Sequence, residues 1–481
     1  MDDDDRNTRN GSGNSGHQGN TGGDARQWGD RPGSAYGRPR LPRKPHASDA
    51  QAGVRSNRRF GNMREADRPA VRSTRRLDTH FEPTISAAEH RLDRVRPTAY
   101  AKTRNFIDGA VTLLSPYITH GFLNIPACIE KLSLQHMLTL EDKLIYEFAW
   151  REYFHHVWSR LGDGILSDIR NPVWRGRYET SLPDDITHGA TGVAVIDAAV
   201  RMLYAEGYLH NHMRMWLASY VVHIRKVDWK VGAAWMYTHL LDGDLASNWL
   251  SWQWVAGTFA HKPYLFNADN VSRYFAGMNC SGTKIDTSYV DLEAIARGRN
   301  SLGPEPGHHP RIDPPTAPDS DLTTLLSRHG LRVLNDDALL SRLDTSDIEL
   351  RHPWCLGPVR PDTTPVIAWI DMDFHDRFAW SAKRWEFVLR RLGEMTTEVW
   401  LTRTSAFVKA VRHSKHGLQA METWNPGYAA LKDCDCATLQ AAPRFFANPL
   451  QLQPSFTRFF DHAMAGRELT LSPQTTSRQS A

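Results

Sequence analysis

At 481 residues with 41% hydrophobic side chains the chain is long enough for two or three domains with real cores, and 58 Lys+Arg against 54 Asp+Glu leave a formal charge of only +4. No apolar run reaches the roughly 18 residues that a membrane span needs, and the start MDDDDRNTRN is acidic where a secretory signal is basic and then apolar, so a cytoplasmic protein with no membrane contact is expected. Five scattered cysteines (Cys128, Cys280, Cys355, Cys434, Cys436) form one CxC and no paired CxxC array, which argues for reduced thiols and no metal.

Residues 1 to 83 are Gly-, Asn-, Ser- and Arg-rich with few large apolar side chains, a composition that cannot offset its ordering entropy, so a disordered tail is expected. Residues 31 to 80 hold 13 Lys+Arg against 4 Asp+Glu, a basic stretch that serves equally well as a solubilising tail or as a non-specific phosphate tether.

Helical periodicity begins after Pro83, with start signals at Thr84, at Ser115-Pro116, and at Thr139 ahead of LEDKLIYEFAWREYFHHVW. VAVIDAAVRMLYAEG reads as a further helix capped at Gly207, and NHMRMWLASYVVHIRK as another. Residues 301 to 362, rich in Pro, Gly, Asp and His, read as a linker with one short helix, LTTLLSRHG. Beyond it, VIAWI (366 to 370) and EVWLT read as strands and SAKRWEFVLRRL and SAFVKAVRH as helices, so residues 363 to 465 are expected to form a small parallel α/β domain before a disordered tail at 466 to 481. No GxGxxG marks that unit as a dinucleotide site, and a structural or docking role is expected of it.

Nine of the sixteen Trp fall between Trp150 and Trp254, more indole than a helical core needs to fill volume. Glu147, Trp150 and Arg151 share one helical face by their i, i+3, i+4 spacing, as do Asn211, Arg214 and Met215. Polar groups on an otherwise apolar face must find partners or face a cavity. Each cluster alone is more often a satisfied polar contact than an active site. His210 and His212 lie two apart on a helix, where they point to different faces and cannot readily share an ion, and His155-His156 reads as helix surface.

The segment DGDLASNWLSWQW (242 to 254) changes the meaning of these clusters, because it resembles the flavin-binding signature of the DNA photolyase/cryptochrome family. The resemblance runs from about Tyr100 to Tyr274 through TLLSPYITHG, YEFAWREYFHHV, TGVAVIDAAVRML, GYLHNHMRM, DWKVGAAW and KPYLFN, in the family's order. It implies a mainly α, helical FAD-binding catalytic domain at residues 84 to 300, without the α/β antenna domain that normally precedes it. Residues 363 to 465 are then a candidate for a relocated counterpart.

Matched residue by residue, Tyr100 and Arg104 open the FAD pocket, and Thr112, Leu113, Leu114 and Ser115 stand where the family's TSxLS segment meets the pyrophosphate. Val111 replaces that segment's usual first Thr, and Leu113 a residue that is often basic. Arg151, Arg214, Asp242, Gly243, Asp244 and Asn248 complete the expected cofactor contacts. The Arg214–Asp242 pair lies beside the isoalloxazine, favouring reduced anionic FADH⁻, and Asn248 faces N5. Glu147, Asn211, Met215, Trp150 and Trp254 match the cavity for a flipped-out pyrimidine dimer in DNA. Neither Asn211 nor Met215 is the His that 6-4 photoproduct repair uses, so a cyclobutane dimer is the expected substrate. Trp252 and Trp229 match the first two members of an electron-transfer chain, with Trp174 and Tyr178 out of register as alternatives for the third. Arg151, Lys226 and Lys262 are expected at DNA phosphates. The resemblance thus implies a monomeric light-driven lyase, the main alternative being a cryptochrome-like blue-light photoreceptor.

Overall fold

The computed structural model describes residues 77–260, 262–300, 302, 309–315, 322–358, 364–465 and 470–471, all within one compact unit, Asp49–Ala481. Both expected disordered tails fall mainly outside these residues, the exceptions being 77–83 and the strand Thr470–Leu471.

The N-terminal part is helical, and its boundaries follow local chemistry. Thr84 caps Ile85–Asp93 by accepting from Ala87 N–H, as its position before an apolar run leads one to expect. Helix α1 (Lys143–Leu161) starts later than Thr139 indicates. Thr139 N–H instead donates to Asp142 Oδ2 at 2.7 Å, and Leu138–Thr139 pairs antiparallel with Thr470–Leu471, so the chain turns before the helix begins. Then follow α2 (Ala194–Glu206), ended by Gly207 at φ 65°, and α3 (Asn211–Ser219), which runs on into a π turn at Tyr220–Ile224. Helices α4 (Trp229–His239) and α5 (Leu245–Ala256) pack against each other closely: a Cβ on Gly232 would lie 2.3 Å from the Trp252 ring, so only glycine lets that indole seat on α4.

The C-terminal part is a six-stranded, all-parallel sheet: β1 (Arg332–Val333), β2 (Ile348–Arg351), β3 (Val366–Asp371), β4 (Glu398–Thr402), β5 (Leu418–Met421) and β6 (Ala437–Gln440), in the order β1-β4-β3-β2-β5-β6. Strand order reverses between β2 and β5, as in doubly wound folds. The expected strands at 366 and 398 are β3 and β4, and SAKRWEFVLRRL forms α6 (Ala382–Gly393). The segment expected as a linker also carries β1 and the central strand β2. IELR is too short and too charged to read as a strand alone, and it is stable here because Arg351 pairs with Glu349 while neighbours lie on both sides.

Alternation along β3 shows how the parts join. Ile367 and Trp369 point into a core special to the sheet, where Trp369 stacks on Phe407 at 3.7 Å. Ala368 and Ile370 point the other way, into a core that continues without a break through Trp380, Phe387, Tyr117, Trp216 and Leu250. Helix α7 (Phe456–Ala463) returns to lie on α1, with Phe460 4.6 Å from Tyr146.

Candidate functional site

A cavity of about 330 Å³ opens between α1, α3, α5 and the segment before the short helix Ser115–Thr119. Fifteen of the residues singled out in the sequence line it: Tyr100, Thr112, Leu114, Ser115, Glu147, Trp150, Arg151, Asn211, Arg214, Met215, Asp242, Gly243, Asp244, Asn248 and Trp252. Arg104 stands just behind the wall, with Nε 3.4 Å from Glu147 Oε1. Leu113 is buried in the core at φ 55°, a strained conformation for a leucine, while Thr112 Oγ1 accepts from Leu114 N–H across it. Trp254 is not in the wall; it is half-buried against Tyr264 at 5.6 Å.

The polar face of the cavity is built from two ion pairs on the turn that precedes α5. Arg214 donates to Asp242 Oδ2 at 2.7 Å and through Nε to Leu209 O, with the Tyr208 ring 5.3 Å from its guanidinium carbon. Asp242 is 7% exposed, and its Oδ1 has no protein partner, an unmet acceptor beside a cavity. Asp244 caps α5 through Ser247 N–H and holds Arg151 at 3.2 Å and His155 Nε2 at 2.7 Å. Burial alone would push the Asp244 carboxyl up, but Arg151 and His155 outweigh it and hold the group well below the usual carboxylate range. Asn248 Nδ2 donates to Ala233 O at 2.9 Å, which fixes its amide against α4.

The opposite side differs. Glu147 keeps 42% of its side chain accessible, yet the surrounding protein raises its carboxyl above the ordinary range, with Arg104 opposing that rise. Trp150 stacks on Phe456 of α7 at 4.1 Å and 6°. A site with unmet acceptors, two cations and aromatic walls fits a flavin dinucleotide: Thr112, Ser115 and Arg151 suit its phosphates, and Asp242, Arg214 and Asn248 its ring.

Several placements correct the sequence reading. His155 is not helix surface but 3% exposed, drawn inward by Asp244, and His156 is 1% exposed between Asn448 and Gln453 N. His210 and His212 are neighbours, 5.8 Å between rings, because His210 Nδ1 accepts from His212 N–H at the start of α3. Lys226 does not reach outward for phosphate. Its Nζ donates to Ile295 O at 2.6 Å and Ala296 O at 2.9 Å, and burial pushes it down to about 8. Lys262 is exposed.

A second cavity, about 510 Å³, lies on the far side of α4 and contains Trp229, Trp174, Tyr178, Arg175 and Lys230. Trp229 Nε1 donates to Asp168 at 2.6 Å, and Trp174 meets Tyr178 edge-on at 4.8 Å. Trp249, next to Asn248 on α5, is core, packed on Tyr237 and Phe378. The sequence reading missed Phe456 and Arg384, which come from the motif-free C-terminal part. Of the three Arg in SAKRWEFVLRRL, Arg384 stands four residues before Val388 on the apolar face, which was the available signal.

The fold and the paired charges define a helical domain with a polar-walled cavity. Residues 144–288 match the family model described as the FAD binding domain of DNA photolyase, and this segment belongs to the photolyase/cryptochrome family. A deoxyribodipyrimidine photo-lyase of Streptomyces griseus is 36% identical over 149 residues, 31% of this chain and 32% of that protein. One from Agrobacterium fabrum is 31% identical, covering 41% and 46%. A cryptochrome DASH of Oryza sativa is also 31% identical, covering 42% and 36%. A solved class III photolyase from Agrobacterium tumefaciens aligns over 40% of this chain and 42% of its own at 28% identity, with a TM-score of 0.35. The chain thus spans less than half the length of these relatives.

Proposed function

We propose that this protein is a monomeric cytoplasmic lyase that uses light to split cyclobutane pyrimidine dimers in DNA, with FAD as cofactor and the catalytic domain at residues 84 to 300. The observation that carries the proposal is convergence: the Arg214–Asp242 pair and Asn248 on one side, and Glu147, Asn211, Met215 and Trp150 on the other, line the same cavity. When bound and reduced, FAD supplies the light absorption and the electron that opens the cyclobutane ring and is then recovered.

The chain's own residues supply position and field. Arg214 offers positive charge where an anionic reduced ring needs it, and Asp242 holds that charge in place. Asp242 Oδ1, buried without a protein partner, would be free to accept a hydrogen bond from the bound ring. Trp150 gives the flipped bases a flat face, backed by Phe456, while Asn211 hydrogen-bonds their edges. Glu147, its carboxyl raised above the ordinary range by desolvation against the pull of Arg104, lines the same cavity as Asn211 and is placed to hydrogen-bond the base edges. Trp252 and Trp229 place two indoles between the two cavities, a route for electrons from the surface.

The test is bound-flavin content followed by dimer loss under blue light. Flavin that is photoreduced without any repair supports the cryptochrome-like photoreceptor instead, a reading that the sequence similarity to cryptochrome DASH keeps in play.

A further inference from the structure

Arg384 lies on α6, outside the matched FAD-binding segment, and is fully buried at 0% exposure. Its guanidinium donates to Gly243 O at 2.6 Å and to Tyr237 O at 3.3 Å, and stacks over Trp380 at 3.9 Å, whose Nε1 donates in turn to Tyr237 Oη. No carboxylate touches it among the described residues. Burying such a cation is costly unless compensating groups lie near; burial is offset first by the Tyr237 side chain, whose ring centre is 4.8 Å from the guanidinium carbon, and then through space by Asp242 and Asp244.

The same contact crowds Gly243. A Cβ there would lie 2.5 Å from Arg384 Nη1, 2.9 Å from Tyr237 O and 3.1 Å from Leu240 O. The middle residue of Asp242-Gly243-Asp244 is glycine because those two carbonyls, together with the docked guanidinium, leave no room for a side chain. Charge counting adds a second consequence. Arg214 with Asp242 and Arg151 with Asp244 cancel, so Arg384 leaves this face of the cavity with one net positive charge.

We infer that Arg384 is a positioning residue of the flavin site, bracing the Asp242–Gly243–Asp244 turn from outside the cavity and adding a fixed positive charge behind both acids. The inference rests on the proposed FAD site. It gives the C-terminal region a part in setting the cofactor's redox state, through a side chain that no flavin touches.

The experiment compares the full-length protein with Arg384→Met and Arg384→Lys, measuring FAD dissociation and the midpoint potential of bound flavin. Arg384→Met is expected to weaken FAD binding by about tenfold or more and to lower the potential, because an anionic reduced ring loses a nearby cation. Arg384→Lys is expected to weaken binding, since an ammonium cannot match the planar fork that reaches both carbonyls, while keeping the potential. A shift in affinity with the potential unchanged in Arg384→Met, or neither quantity changed, overturns the inference. Should Arg384→Met fail to fold by circular dichroism, Arg384→Lys decides: binding within about twofold of wild type overturns it. A wild-type protein that takes up no FAD contradicts the proposed function instead.

Discussion

The helical region from Ile85 to Ala296 and the parallel sheet after residue 322 both bury large aromatic cores, yet their polar residues behave differently. In the helical stretch, charged groups gather on one cavity as Arg214–Asp242, Arg151–Asp244 and Arg104–Glu147. In the sheet region the pairs lie mostly at edges and helix ends, as with Arg342–Glu398 and Arg403–Asp373. Chemistry is therefore concentrated in one region. The other contributes at a distance, through Arg384 behind the turn and Phe456 behind Trp150. A region with no motif of its own can thus pack against the walls of a site carried by another.

Because one core runs through both regions, they are expected to unfold together, and acid offers the largest lever on both. His120, His210, His212 and His223 in the helical part, and His375 in the sheet part, are buried and pushed down from 6.5 to between about 3 and about 4. The unfolded chain takes up protons near pH 6.5 and the folded one does not. Stability is thus complete above 6.5 and is lost as pH falls toward those lowered values, each group costing at most about 1.4 kcal/mol per pH unit. Thermal melts at pH 7.5 and 5.5 should differ by about 10 °C or more in one transition. Two transitions, only one of them pH-sensitive, would separate the regions.

Removing one partner of the buried pair comes next. Asp242→Ala leaves Arg214 unpaired at about 3 to 5 kcal/mol, and should lower FAD affinity by about a hundredfold or more while the sheet region keeps its circular dichroism. Full FAD occupancy in this variant would place the cofactor elsewhere. Phe456→Leu probes the reverse direction, from the sheet region into the site. Loss of the ring stack, about 0.5 to 1.5 kcal/mol, should weaken binding of a dimer-containing oligonucleotide several-fold with FAD stoichiometry unchanged. Smallest in stability is Trp229→Phe, which leaves Asp168 without its indole donor. It should slow flavin photoreduction, followed by visible absorbance, and leave thermal stability within about 1.5 kcal/mol.

Much of the site was legible because an acid and an arginine three or four residues along an apolar helix require a common explanation, and the Asp242–Asn248 segment supplied it. What escaped notice did so for physical reasons. His155 reads as surface until Asp244 is known to reach it from α5. Lys226 reads as a phosphate contact until the carbonyls at the end of the helix Tyr289–Ala296 claim it. The strand at Ile348–Arg351 alternates apolar and charged residues over four positions only, too short a run to announce it, and it depends on partners distant in sequence such as Val366 and Leu418. Arg384 and Phe456 depend on a chain path that no local pattern encodes.

The most direct measurement of the central claim is the loss of cyclobutane dimers from a UV-damaged oligonucleotide incubated with the purified, reduced protein in blue light and in darkness. Light-dependent repair that disappears in Glu147→Ala is the result expected here; dimers that persist in light, with reduced flavin bound, would contradict it.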